Sequence, residues 1–383
     1  MTERIASGPL TGITVVEVSN YVSGPMATMM LADLGADVIK VEPPRGDPFR
    51  RFGRPSHAMS AVFASTNRGK RSVVLDLKQP ADLEALHGLL EKADVLLSNW
   101  RPAAVRRAGL DGDSLAARYP RLVKVYVSGY GPTGPSSERP SFDSMIQARS
   151  SFAWAEAMDG EPHLAKSYLV DKMTATFAAQ AAIAALYGRE RTGIGATIDV
   201  PMLDVSAYFN FPESLSNRTF IDEQPDDARF DLLGAQRPFR TSDGWVLIGA
   251  VSGQQIKGSI AAVGHPEWGP DLQALPAVDM MGVLLERIEA ITKDWTTEHT
   301  LAMFDAQDVP VAACLDIDGH LADPQVEHSE IYSVRDNPGL GEVRAVRYPG
   351  RSAQWGRRLH PGPAPMLDSG RSEILGVPSV PTS

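Results

Sequence analysis

Between Thr14 and Val127 short apolar runs alternate with helical patterns, and no other feature of the chain constrains its fold as much. Thr14–Val18, Asp37–Glu42, Ser72–Leu77, Asp94–Leu97 and Leu122–Val127 read as short buried strands. Met26–Leu34 and Ala81–Lys92 carry apolar residues at helical spacing, and Gly35 stands where glycine closes a helix. Strand, helix and strand joined by short connections predict a parallel α/β sheet with right-handed crossovers, a Rossmann-like layer. The turn after the first strand reads Ser19-Asn20-Tyr21-Val22-Ser23-Gly24-Pro25. It lacks the Gly-x-Gly-x-x-Gly spacing that brings backbone against a pyrophosphate, and the chain has no Walker A sequence. Nicotinamide and nucleoside-triphosphate chemistry lose support accordingly.

Asp171–Arg191 is the longest helical stretch, and its Ala175, Ala178, Ala179, Ala182 and Ala185 let a second helix approach closely. Thr192–Gly195 ends it, Ala196–Val200 reads as a strand, and Met202–Phe211 as a helix. Residues 216–231 are polar and acidic, as in a linker. Phe239–Ile248 then has the pattern of a hairpin turning at Asp243-Gly244. Helical patterns cover 253–263, 280–292 and 297–306, which makes a smaller α+β domain. The tail from 331 is rich in Pro and Gly, with a strand at Glu342–Arg347.

The formal net charge is −10, which disfavours general nucleic-acid binding. The charge is uneven: residues 1–130 hold 17 Lys+Arg and 13 Asp+Glu, the remainder 20 and 34. The basic part is the one suited to an anionic small molecule. The single cysteine, Cys314, forms neither an intrachain disulfide nor a thiolate metal site. It lies in the apolar run Val309–Leu315, which reads as a buried strand. The eight histidines show no ligand spacing, so no metal site is expected. Met1–Leu10 lacks a signal-peptide core, and no apolar run approaches the roughly 18 residues of a membrane span. A cytoplasmic protein with no membrane partner is expected.

One carboxylate stands out. Asp171 opens the Ala-rich helix after Tyr168-Leu169-Val170. Its position fits a helix N-cap and equally a partly desolvated carboxylate nucleophile. Lys70, Arg71 and Lys78 flank one strand, and Arg101, Arg106 and Arg107 follow another after Ser98-Asn99-Trp100. Cations beside a tryptophan at strand ends suit an adenine ring next to phosphates, and equally a solvated charged rim.

These segments, in order, resemble the class III CoA-transferases, a family that also includes α-methylacyl-CoA racemase. Pro9–Glu17, Leu34–Pro43, Asn67–Ser72, Ser128–Gly131, Arg189–Gly195, Ala322–Gln325 and Asn337–Gly341 carry the likeness along nearly the whole chain. The resemblance implies a Rossmann-like large domain, residues 1–220 plus 331–383, with a small α+β domain, 221–330, inserted into it. It implies an interlocked homodimer. It implies coenzyme A, bound as an acyl-CoA substrate, and a carboxylic acid acceptor. The family's catalytic Asp falls on Asp171, and its coenzyme A contacts fall on Val22, Ser23, Leu75, Lys78, Asn99, Trp100 and Arg107.

Three positions depart from the family's branches. The racemase His-Asp pair is replaced by Phe142-Asp143, and Phe142 offers no proton to an α-carbon. Val22 stands where formyl-CoA transferases carry Gln. Leu232-Leu233-Gly234-Ala235-Gln236 replaces their run of glycines. A larger or more apolar acyl group than formyl is expected. A racemase and a coenzyme A-binding protein without turnover remain the alternatives.

Overall fold

The computed structural model describes residues 8–53, 57–158, 160–215, 218–221, 236–350 and 362–377. The chain divides into two compact units, 1–214 with 331–383, and 215–330.

The first unit is built on six parallel strands: β1 (Thr14–Val18), β2 (Asp37–Glu42), β3 (Lys70–Val74), β4 (Val95–Ser98), β5 (Val123–Ser128) and β6 (Thr197–Pro201). Their order is β3-β2-β1-β4-β5-β6, the doubly wound arrangement. Alternate residues feed opposite faces. Val15, Val38, Leu97 and Val125 join one core with the helices Ser23–Asp33 and Leu169–Thr192. Val16, Ile39, Leu96 and Tyr126 join the other with the helix Pro80–Leu90. Ala27 and Leu31 of one helix meet Ala175, Ala178 and Ala182 of the other in the first core, so the alanines serve the close approach their spacing suggests.

Several element boundaries shift from the sequence reading, and two of the shifts have a clear physical cause. β3 begins at Lys70 rather than Ser72, because Lys70 and Arg71 are neutralised in the sheet by Glu17 and Asp37. The first helix begins at Ser23 rather than Met26. Gly24-Pro25 looks like a break, but proline in a first turn lacks an N–H that no helical carbonyl would accept.

The C-terminal segment belongs to this unit too. β10 (Tyr332–Asn337) and β11 (Gly341–Val346) pair antiparallel. Leu340 and Ala364 pack with Val22, Phe49 and Phe63, and Asp368 accepts the N–H of Val74 at the edge of β3.

In the second unit β7 (Phe239–Arg240), β8 (Trp245–Ile248) and β9 (Val311–Ala313) form an antiparallel sheet. The helices Gly253–Ala262, Ala277–Thr292 and Thr297–Asp305 flank it, with Trp268–Gln273 a further helix the sequence reading leaves out. Cys314 is exposed, against the expectation of a buried strand. Among the described residues β9 pairs only with β8, at the edge of the sheet, and an edge strand keeps one side open.

Candidate active site

In an open α/β sheet a ligand crevice forms outside the carboxyl ends of the strands, where the strand order reverses. Here that point lies between β1 and β4. A cleft of about 200 Å³ opens there. Tyr21 and Ser23 line it from beyond β1, Asn99, Trp100 and Arg101 from beyond β4, and Gly129 from beyond β5. Ser137, Arg139, Ser141, Phe142, Asp171 and Met202 complete its wall.

Asp171 is the third residue of its helix, not the cap: Leu169 is the first and Tyr168 the N-cap. Its backbone N–H is taken by Asp143 Oδ2 at 3.0 Å. Asp143 is buried, and its other oxygen accepts Gln147 Nε2 at 2.5 Å. Gln147 Oε1 in turn accepts the N–H of Ala165 at 3.0 Å, tying the segment before the long helix to the helix Asp143–Arg149. Ser23 lines the same cleft as Asp171. Burial, and next the charge of Asp143, raise the Asp171 carboxyl to about 7, against the opposing pull of the Ser23 hydroxyl. Near neutral pH the group therefore exchanges between an acid and a poorly solvated carboxylate.

The turn bearing Ser23 sits over a buried charged cluster. Lys40 contacts Glu17 at 2.7 Å and Asp47 at 3.0 Å, and Lys70 contacts Glu17 at 2.8 Å. Burial works against the Glu17 carboxylate, but Lys40 and Lys70 outweigh it and hold the group at about 2. Burial pushes Lys70 down to about 8, with Glu17 opposing.

Of the residues carried over from the family, the cleft brings together Ser23, Asn99, Trp100 and Asp171. Val22 and Leu75 are buried in separate hydrophobic clusters and offer no side-chain surface to the cleft. Lys78 and Arg107 are exposed and lie outside its lining. Among the other basic residues, Arg71 is spent on Asp37 and Arg106 on Glu138, and Arg101 alone of the sequence set lines the cleft. The structure adds Tyr21 and Arg139, which nothing in their local sequence marks and which the convergence of distant turns brings here. It also gives Asp143, known from the sequence only as the second residue of the Phe142-Asp143 pair, a contact to the Asp171 backbone. Residues 232–235 of the shortened glycine run lie outside the described residues. Among the described residues, no cluster of His, Cys, Asp and Glu suited to a metal ion occurs, and no helix is long and apolar enough to cross a membrane.

A family model described as CoA-transferase family III matches residues 10–371. An acetyl-CoA:oxalate CoA-transferase of Acetobacter aceti is 33% identical over 81% of this chain and 82% of its own. A succinate–glutarate CoA-transferase of Agrobacterium fabrum is 30% identical over 96% of this chain and 95% of its own. The crystal structure of a CAIB/BAIF family protein from Brucella suis superposes with a TM-score of 0.82 at 28% identity, covering 96% of this chain and all of that one.

Proposed function

The chain belongs to CoA-transferase family III, and from that premise we propose that it moves coenzyme A from an acyl-CoA to a carboxylic acid through covalent intermediates on Asp171. The observation that carries this reading is the Asp171 carboxyl in the cleft beside Ser23, raised by burial to about 7. Such a carboxylate has shed part of its hydration, which favours attack on a thioester carbonyl.

Asp171 attacks the acyl carbonyl, the C–S bond breaks, and coenzyme A leaves as the thiolate. The product is an acyl-aspartyl anhydride. The thiolate returns to the aspartyl carbonyl and expels the donor's carboxylate, leaving an aspartyl-CoA thioester. The acceptor carboxylate attacks that carbonyl and frees the thiolate again. Thiolate attack on the acceptor's carbonyl then yields the new acyl-CoA and restores the Asp171 carboxylate. No net proton is taken up or released. In this reading Trp100 and Arg101, which line the cleft, contact the coenzyme, and Tyr21 and Phe142 the acyl group.

Arg139 brings a second guanidinium to the same cleft. Together with relatives whose names include oxalate, succinate and glutarate, it supports a dicarboxylic acid as one partner in the exchange. Phe142 in place of an acid/base group weighs against a racemase. The exposed rings of Tyr187, Tyr208, Phe209 and Phe211 support a homodimer, interlocked as the resemblance implies. An interlocked dimer does not dissociate on dilution without unfolding, which analytical ultracentrifugation checks.

Hydroxylamine added with an acyl-CoA converts either covalent intermediate into a hydroxamate at Asp171, which peptide mass spectrometry locates. Transfer that survives Asp171→Ala, or no adduct with any donor that turns over, overturns the mechanism. A coenzyme A-binding protein without turnover gives neither adduct nor transfer.

A further inference from the structure

β1 and β4 run side by side as far as Val18 opposite Ser98, and beyond that pair they part to open the crevice. One step further the backbone ladder is continued by a side chain. Asn99 Oδ1 accepts the N–H of Asn20 at 3.0 Å, and Asn99 Nδ2 donates to the carbonyl of Asn20 at 2.6 Å. Both polar ends of the amide grip one residue of the turn. Its neighbours are held as well: Lys40 Nζ donates to Ser19 O at 3.0 Å, and Lys70 Nζ to Pro25 O at 2.7 Å. Asp47 Oδ1 accepts the N–H of Tyr21 at 3.3 Å. Tyr21 itself sits at φ +67°, a conformation that a bulky residue keeps only where its surroundings enforce it. The fixed turn places Ser23 in the cleft that Asp171 also lines and sets the Tyr21 ring 5.5 Å from Phe142.

We propose that Asn99 is a positioning residue for the transfer reaction, acting through the Ser19–Gly24 turn on Ser23 and Asp171 rather than as a contact to coenzyme A. The proposal rests on the reading of Asp171 as the nucleophile. An amide engaged at both ends has less to offer a ligand than an idle one, and small displacements of positioned groups cost about a hundredfold in rate. Arg101 and Arg139 are the charged side chains that line the cleft with Asp171, and Asp143 faces Asp171 from the helix Asp143–Arg149, accepting its backbone N–H.

The test compares wild type, Asn99→Ala, Ser23→Ala and the double variant in the full chain. Free coenzyme A is titrated calorimetrically, and Asp171 hydroxamate formation from acetyl-CoA and succinyl-CoA is followed in single turnovers against pH. Asn99→Ala is expected to leave the coenzyme A Kd within about twofold. Its single-turnover rate at pH 7 falls about tenfold or more, and its pH midpoint moves upward as in Ser23→Ala, because a carboxylate without its donor protonates more readily. The double variant is no worse than the worse single one. A coenzyme A Kd weakened tenfold with an unmoved midpoint overturns the proposal.

Should Asn99→Ala fail to fold, Gly24→Ala displaces the turn with Asn99 intact. A Cβ there stands 2.6 Å from Ser19 Cβ and Oγ and 3.3 Å from Asn99 Cγ, and the same upward midpoint is expected. Absence of any hydroxamate in wild type refutes the nucleophile, not the clamp. Carbon-13 carboxyl titration of Asp171 in wild type and Asn99→Ala then still reads the clamp directly, and an unmoved titration refutes it.

Discussion

Asp143 Oδ2 accepts the backbone N–H of Asp171 at 3.0 Å, so one carboxylate is anchored on the main chain of the residue whose side chain it repels. The anchor fixes where the Asp171 helix starts, and the repulsion helps keep its carboxyl near 7. Position and reactivity are thus set by the same neighbour.

Asp143→Asn separates these two effects. The neutral amide removes the repulsion, so the Asp171 titration midpoint moves down from about 7. Both partners of Asp143, Gln147 Nε2 and Asp171 N, are donors, whereas an asparagine has one acceptor oxygen. One donor is left facing an NH₂, at a cost of about 1–3 kcal/mol. Carboxyl NMR and urea unfolding read the two effects independently. An unmoved midpoint removes Asp143 from the electrostatics of the site.

The Asp171 carboxyl also sets a pH dependence of stability. Its folded value, about 7, lies above the ordinary 3.8, so between those values the folded chain binds more protons than the unfolded one. Its contribution is present in full below about 4 and is lost as pH rises through 7. Asp171→Asn is therefore expected to raise Tm more at pH 8.5 than at pH 5.5. An equal gap at both refutes burial as the cause. In the proposed mechanism, formation of the aspartyl intermediate is expected to rise over the same range, since the carboxylate is the attacking form.

The parallel sheet was legible in the sequence because buried strands there are short Val- and Leu-rich runs broken by helical spacing. Lys70 blurred one edge of that pattern: a lysine reads as exposed until Glu17, 53 positions earlier, is seen to neutralise it inside the sheet. Asp171 was legible as a candidate, but its rank within the helix was not. A helix start depends on Tyr168 leaving helical geometry and on Asp143 capping from another element. Asn99 was legible as a candidate through the resemblance. Its grip on Asn20 was not, since sequence does not reveal where two strands stop pairing. Arg139 and Tyr21 carry no local signal and reach the site only through the convergence of loops.

Glu17→Gln leaves Lys40 and Lys70 buried without their shared counter-charge. Breaking a buried pair on one side costs about 3–5 kcal/mol, so the urea midpoint falls steeply with little change in slope. In wild type the Glu17 contribution is present above its unfolded value near 4.5 and is lost as pH falls through about 2. The variant loses that acid limb. A midpoint shift below about 1 kcal/mol indicates that the lysines find other partners.

In the proposed reaction Phe142 is expected to limit which acyl groups the cleft admits. It is 54% exposed, packs edge-on against Tyr21, and lines with it the cleft of about 200 Å³. Phe142→Ala removes that wall and leaves Asp143, Ser23 and Asp171 in place. A methylene gained or lost in an apolar pocket changes selectivity by about 10–200-fold. The ratio of kcat/KM for hexanoyl-CoA over acetyl-CoA is expected to rise by about tenfold or more. Stability changes by only about 1 kcal/mol, because the ring's edge contact with Tyr21 is what is lost. An unchanged ratio in a folded variant places the acyl chain elsewhere. The exposed Phe142 ring then has to be explained by something other than substrate choice.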